Sequence, residues 1–288
     1  VDGSNAILLD AGCYAIAAFR AAESSFEGGQ RAHSGQTPLC MAAIGPEREC
    51  RDYEDLYAEC FQIAPENTLT SEDPLLASGV LRDTLEYWIA LRLANHLEAG
   101  DVLVLDGALS VSHASHQPIL MDLLKLCGWR GIHLAAVTKR SSLTWGAGLP
   151  LVPAVAGLAE RCPVDSPWYV AVPDDLLESP RFREWKQGAI YVARLHPKAE
   201  ATFKVELPRY AKEEAVDRTF SALARYSDDG RITGYPFPLL EAHRMAKIGK
   251  DSVEQLQQDL IAKMCGAGMR LTDYKTLFGD VHDAFDRY

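Results

Sequence analysis

Asp101-Val102-Leu103-Val104-Leu105-Asp106-Gly107-Ala108 is a run of four apolar residues closed by an aspartate and a glycine. An unbroken apolar run of this length reads as a strand covered on both faces, the habit of sheets flanked by helices. The carboxyl ends of such strands are where α/β sheets place their ligands, which makes Asp106 a candidate site residue. Taken alone it reads equally as a helix N-cap. The start of the chain repeats the pattern: Val1-Asp2-Gly3-Ser4-Asn5 runs into apolar residues 6–9. Two strands that each carry Asp-Gly can aim two carboxylates at one divalent cation, and like charges held close are costly unless a cation lies between them. Either half alone is a common turn dipeptide.

Working outward from 101–108, the periods alternate. Residues 73–97 carry Leu76, Val80, Leu85, Trp88, Ile89 and Leu93 as an apolar stripe at helical spacing, ended by Gly100. Residues 116–127 read as a helix ended by Gly128, and 132–137 as a second buried strand followed by Thr138-Lys139-Arg140. Upstream, 6–9 and 14–22 read as strands joined by Asp10-Ala11-Gly12. Residues 27–45 read as a loop with a short strand near 39–44, and 47–59 as a surface helix. Downstream, 189–195 and 202–207 form a hairpin about His196-Pro197-Lys198. Then come a helix over 212–226, an extended Gly234-Tyr235-Pro236-Phe237-Pro238, a helix over 239–248 carrying His243, and a last helix over 252–264 before a polar tail. Residues 143–188 are rich in Pro, Gly and Trp and show no period. This order predicts an α/β protein with a mixed central sheet, its early strands antiparallel and its later ones parallel.

The bulk composition is that of an ordinary globular chain: 288 residues, 48% hydrophobic and 24% charged. No apolar run reaches the ~18 residues of a membrane span. The chain starts without Met and inside an expected strand, so further residues are expected upstream. Seven scattered cysteines without a C-x-x-C pattern point to reduced thiols in the cytoplasm and away from zinc. A net charge of −11 argues against a protein that merely coats nucleic acid.

Other candidates each carry two readings. Glu86 is a site acid or a partner for Arg82 one turn away. Lys139 and Arg140 are phosphate contacts or an exposed basic turn. His113 and His116 are spaced i, i+3 without a nearby Glu and read first as a surface loop and helix start. Trp145, Trp168 and Trp185 are base-stacking candidates, though core aromatics are the commoner case.

Taken together, the motifs resemble the NurA nuclease family. They are Asp-Gly-Ser on the first strand, an acidic helix, Leu105-Asp106-Gly107, and Tyr235-Pro236-Phe237-Pro238 followed by Ala242-His243. Residues 135–141, 191–197 and 281–286 are similar to that family as well. The resemblance covers nearly the whole chain. It implies an RNase H-like fold forming a single nuclease domain over 1–288, with a core of about 1–142 plus 189–264 and an irregular insertion at about 143–188. It also implies a Mn²⁺ (or Mg²⁺) site and a 5′–3′ exonuclease and single-strand endonuclease activity in DNA end resection and double-strand break repair. The implied partners are a second copy, as a homodimer, and a HerA-type hexameric ATPase. By position, the family's aspartates fall on Asp2 and Asp106, its glutamate on Glu86 with Asp83 one turn away, and its tyrosine and histidine on Tyr235 and His243. Asp2, Asp106, Glu86 and His243 would hold metal, and Tyr235 would orient phosphate or water.

Two other classes compete with a nuclease. One is an RNase H-like scaffold that docks on an ATPase ring without cutting. The other is an actin-like ATPase, which needs glycine-rich phosphate loops; Gly146-Ala147-Gly148 is the one candidate, and it is not expected to lie in a hairpin.

Overall fold

The computed structural model describes residues 1–12, 14–45, 51–69, 73–146, 148–162, 164–174 and 186–278. Cys13, Cys50, Trp185 and the 281–286 segment lie outside them. The chain opens with β1 (Asp2–Asp10), β2 (Ala15–Glu27), β3 (Gln30–Gln36), β4 (Cys40–Ile44), α1 (Arg51–Phe61) and α2 (Pro74–Ala94). It continues with β5 (Val102–Asp106), α3 (His116–Arg130), β6 (His133–Thr138), β7 (Thr144–Trp145), β8 (Leu149–Pro150), α4 (Leu151–Ala159) and β9 (Trp168–Ala171). After these come β10 (Gly188–Arg194), β11 (Phe203–Pro208), α5 (Glu213–Arg225), α6 (Phe237–Ala246), α7 (Lys250–Gly266) and α8 (Leu271–Phe278). The residues fall into two compact units. One comprises Val1–Asp2, Ala22–Gln36 and Glu86–Met245, and the other Gly3–Ala21, Thr37–Leu85 and the chain from Ala246 on.

The first unit holds a five-stranded sheet in the order β5-β6-β11-β10-β9. β5 and β6 are parallel, with Val102 opposite His133 and Asp106 opposite Val137, and the remaining pairings are antiparallel. The sheet is therefore mixed, as expected, but of the later strands expected to be parallel only β5 and β6 are so. Along β11, Phe203, Val205 and Leu207 face a core shared with Val216, Phe220 and Leu223 of α5, and with Tyr235 and Leu239. Those α5 residues recur at helical spacing, so one stripe of the helix covers the strands. Tyr169 of β9 stacks on Phe220 at 4.1 Å. On the opposite face Ile190 and Val192 pack with Leu143, Leu151 and Val172, and Trp145 and Trp168 lie against them, so these two tryptophans belong to the core rather than to a base-stacking surface.

The second unit is built on β2 and β4, antiparallel from Ala15 opposite Ile44 to Phe19 opposite Cys40. Tyr53 and Tyr57 of α1 are fully buried with rings 5.7 Å apart. The Asp52 carboxylate accepts from the Ala43 N–H at 2.7 Å, and Asp73 caps α2 by accepting from Leu75 at 2.9 Å. Gln257 of α7 donates to the Leu8 carbonyl at 2.7 Å.

Several expectations are corrected. Residues 30–36 form β3, where a loop was expected. Gly28 and Gly29, both at positive φ, turn β2 back on itself, and the strand is too exposed to show apolar alternation. Helix α3 runs past Gly128 to Arg130, since Gly128 sits inside it against the Tyr210 ring at 3.2 Å from its missing Cβ. Leu76 is exposed, whereas Ala77, Leu81 and Thr84 join Val80 and Leu85 as buried positions of α2. Residues 271–278 of the expected polar tail are helical. Gly146 and Gly148 do lie in a hairpin, between two-residue strands β7 and β8, but the Gly148 N–H turns inward to the Gly146 carbonyl at 2.7 Å.

Gly234 precedes the buried Tyr235 at φ +96°, and a Cβ there would meet the Ala199 Cβ at 2.3 Å. Gly234→Ala should destabilise the protein by about 2–5 kcal/mol, combining a strained φ with overpacking. Ala199→Gly in the same chain should restore the packing part alone. Urea unfolding of the three variants checks this, and a Gly234→Ala protein of wild-type stability would contradict it.

Candidate active site

The site is assembled within the first unit by backbone pairing. The Val1 nitrogen donates to the Val104 carbonyl at 2.8 Å, and the Asp106 N–H donates to the Val1 carbonyl at 3.0 Å. These two bonds are those of a parallel bridge between Val1 and Leu105. Asp2 and Asp106, one residue further along neighbouring strands, therefore share a face of the sheet. Asp2 is buried, and the Asp106 side chain is 10% exposed.

Three further side chains converge on this pair. His243, on α6, places Nδ1 2.7 Å from Asp2 Oδ2. Tyr235, fixed by the Pro-bounded segment before α6, donates its hydroxyl to Asp106 Oδ2 at 3.1 Å. Lys139, leaving β6 beside Asp106, contacts Asp106 Oδ2 directly. Its Nζ is 3.8 Å from Asp2 Oδ2, 3.5 Å from His243 Nδ1 and 5.5 Å from the Tyr235 ring centre. The loop that follows Asp106 is tied down from behind: the Thr138 hydroxyl bonds the Gly107 carbonyl, and the buried Glu206 carboxylate accepts from the Leu109 N–H at 3.1 Å.

Burial pushes the Asp2 carboxyl up to about 6, and the nearby charge of Asp106 pushes the same way, against the pull of the Lys139 ammonium. The Tyr235 hydroxyl is held far above its ordinary value, first by burial and then by the Asp106 charge, so it remains a donor. Donor atoms of Asp2, Asp106 and His243 all lie within 4.8 Å of one another. Two carboxylate oxygens and an imidazole nitrogen are ligands that a divalent first-row or alkaline-earth ion accepts. The strain of the unshared carboxylate pair is itself a measure of that fit.

Of the residues expected from sequence, Asp2, Asp106, Tyr235, His243 and Lys139 meet. Glu86 is half-buried on α2; its charge, like those of Asp2 and Asp106, is felt at the Val1 amino group, but it stands outside the three-residue ligand set. Asp83 bonds Arg82 at 2.5 Å. Arg140 is exposed beside Lys139. His116 does begin α3, as expected, but it is fully buried against Tyr87 rather than at the surface, with ring centres 5.3 Å apart. Sequence reading assigned Lys139 to phosphate and missed its contact with the carboxylates. The available signal was its position at the end of the strand parallel to β5.

The family model of the NurA domain matches residues 72–248, which include Glu86, Asp106, Lys139, Tyr235 and His243. Asp2 lies outside that match and enters the site by geometry. The crystal structure of the NurA nuclease from Sulfolobus solfataricus superimposes with a TM-score of 0.54 at 14% identity, covering 94% of this chain and 84% of that one. A second structure described as NurA gives 0.45 at 10% identity, covering 90% of this chain and 87% of that one. Human ENDOV gives 0.40 at 12%, covering 88% and 84%. The likeness of fold rests on the first of these. No curated protein matches this chain.

The folded protein holds a proton on Asp2 that the unfolded chain has already released between pH 3.8 and about 6. In chelator, stability should therefore fall as pH rises through that window. Asp2→Asn, which cannot titrate, should flatten the slope. Thermal unfolding across a pH series measures both, and equal slopes in the two proteins would count against the shared carboxylate site.

Proposed function

The chain belongs to the NurA family, and on that premise we propose that it is a divalent-metal-dependent DNA nuclease. The observation that carries the reading is the convergence of two buried, like-charged carboxylates and an imidazole on one point of an RNase H-like sheet. Asp2, Asp106 and His243 would hold Mn²⁺ or Mg²⁺, with Glu86 close by as a further acid. When bound, the ion would activate water and offset the charge of the pentacovalent transition state.

The remaining work falls to the protein's own groups. Tyr235, kept protonated, fixes Asp106 Oδ2 through its hydroxyl. His243 fixes Asp2 Oδ2 from the other side of the pair. Lys139 balances the carboxylates and presents a cation to an incoming phosphate, with Arg140 exposed beside it as a second contact. Mn²⁺ in preference to Mg²⁺, 5′–3′ exonuclease and single-strand endonuclease action, and a role in end resection and double-strand break repair are the finer parts of this proposal. They rest on family membership, as do a homodimer, a cytoplasmic location and a HerA-type hexameric ATPase as partner. The net charge of −11 supports a partner that delivers DNA, because the chain as a whole repels it. We read residues 1–288 as one nuclease domain, with 143–188 inserted into it.

The test is incubation with labelled single- and double-stranded DNA in EDTA, Mg²⁺ or Mn²⁺. Cutting should need the metal. Asp106→Ala should lower the rate by at least ~100-fold, because even outer-shell losses at metal sites cost ~10–100-fold. Tyr235→Phe should fall in that ~10–100-fold range. Metal-independent cutting, or an Asp106→Ala protein as fast as wild type, would sink the reading; DNA binding with no cutting under any metal would favour a scaffold. A HerA-type ATPase should stimulate wild-type cutting, and no stimulation removes that partner from the proposal.

A further inference from the structure

Three guanidinium groups gather around one buried carboxylate on the helix that carries His243. The side chain of Glu241, 9% exposed, has Oε2 against Arg31 of β3, with Oε1 3.2 Å from Arg244 and 3.7 Å from Arg231. Arg231 is already answered by Asp229, at 2.9 and 3.1 Å, and its Cζ lies 4.5 Å from the Phe237 ring centre. Glu241 can neutralise only one of the other two. Arg31 and Arg244 thus carry a surplus positive charge in a chain of net charge −11. Both are about half exposed, at 49% and 60%, and each gives Glu241 a single N–H of its five.

One guanidinium would satisfy a buried carboxylate, and exposed arginine pairs add little stability. Two half-exposed forks, each with donors beyond the one given to Glu241, are suited to phosphate oxygens, which the planar guanidinium grips bidentately. Arg244 directly follows His243, so the clasp lies on the neighbouring face of α6, a short step from the candidate metal ligands.

We infer that Arg31 and Arg244, steadied by Glu241, form a clasp for the backbone phosphates of the DNA strand beside the point of cutting. This rests on the nuclease reading above and adds to it where the strand runs. Such contacts set register without reading sequence, so the clasp should act equally on any base composition.

The test is fluorescence anisotropy of a labelled single-stranded oligonucleotide in EDTA, titrated at several salt concentrations, beside metal-dependent cutting. Arg31→Gln and Arg244→Gln should each weaken binding and lower the log–log salt slope by ~0.7, and the pair by ~1.4. Arg31→Lys and Arg244→Lys should keep the slope while losing part of the affinity. Arg218→Gln, which breaks the exposed Glu214 pair on α5, should change neither. In cutting assays KM for DNA should rise with kcat little changed. Wild-type protein that binds and cuts, beside Gln variants with an unchanged slope, overturns the clasp alone. Wild-type protein that neither binds nor cuts overturns the nuclease reading and the clasp together.

Discussion

The bridge between Val1 and Leu105 puts Asp2 and Asp106 on one face of neighbouring strands, so the backbone itself sets the two carboxylates side by side. Burial and mutual repulsion raise the free energy of that pair, which is why Asp2 clings to a proton up to about pH 6. The groups around it each answer the same problem. Lys139 brings a compensating charge, Tyr235 donates a hydrogen bond to one carboxylate, and His243 engages the other. A cation bound between like charges held together would favour the folded sheet.

The rest of the first unit is arranged so that this cost does not displace the strands. β6 pairs along β5 and β11 along β6, and one core lies between β11 and α5. Behind Asp106 the Thr138 hydroxyl and the Glu206 carboxylate hold the outgoing loop. Glu206 is in turn paired with Lys204 at 2.6 Å, so the buried charge that fixes the loop is itself matched. Gly188 makes the approach possible, because a Cβ there would sit 2.9 Å from Glu206.

The strands and helices that bury apolar surface were legible in the sequence, because burial writes a period. β5, β6, the β10–β11 hairpin and α5 all fall where residues 102–105, 132–137, 189–207 and 212–226 predict. Tyr235 and His243 were legible through the Gly-Tyr-Pro-Phe-Pro segment, and Asp106 through its place at a strand end. β3 was not, since a strand exposed along most of its length carries no apolar alternation. Nor was the helical position of Gly128, where the deciding contact is the distant Tyr210 ring. Lys139 was read for its charge but not for its neighbours: nothing local in Thr138-Lys139-Arg140 says that a second strand will bring two carboxylates beside it.

His243 and Asp2 lie 241 positions apart and touch. A ribosome releases Asp2 first, then Asp106 and Lys139, and only much later the helix that brings His243. Every nascent chain that stops short of His243 lacks one of the three candidate ligands, so the site is completed only once α6 has been made, with α7 and α8 still to follow. A chain still short of α6 has the carboxylates but not the finished site. Wide sequence separation slows folding, and here it also makes the assembly of the site wait for α6.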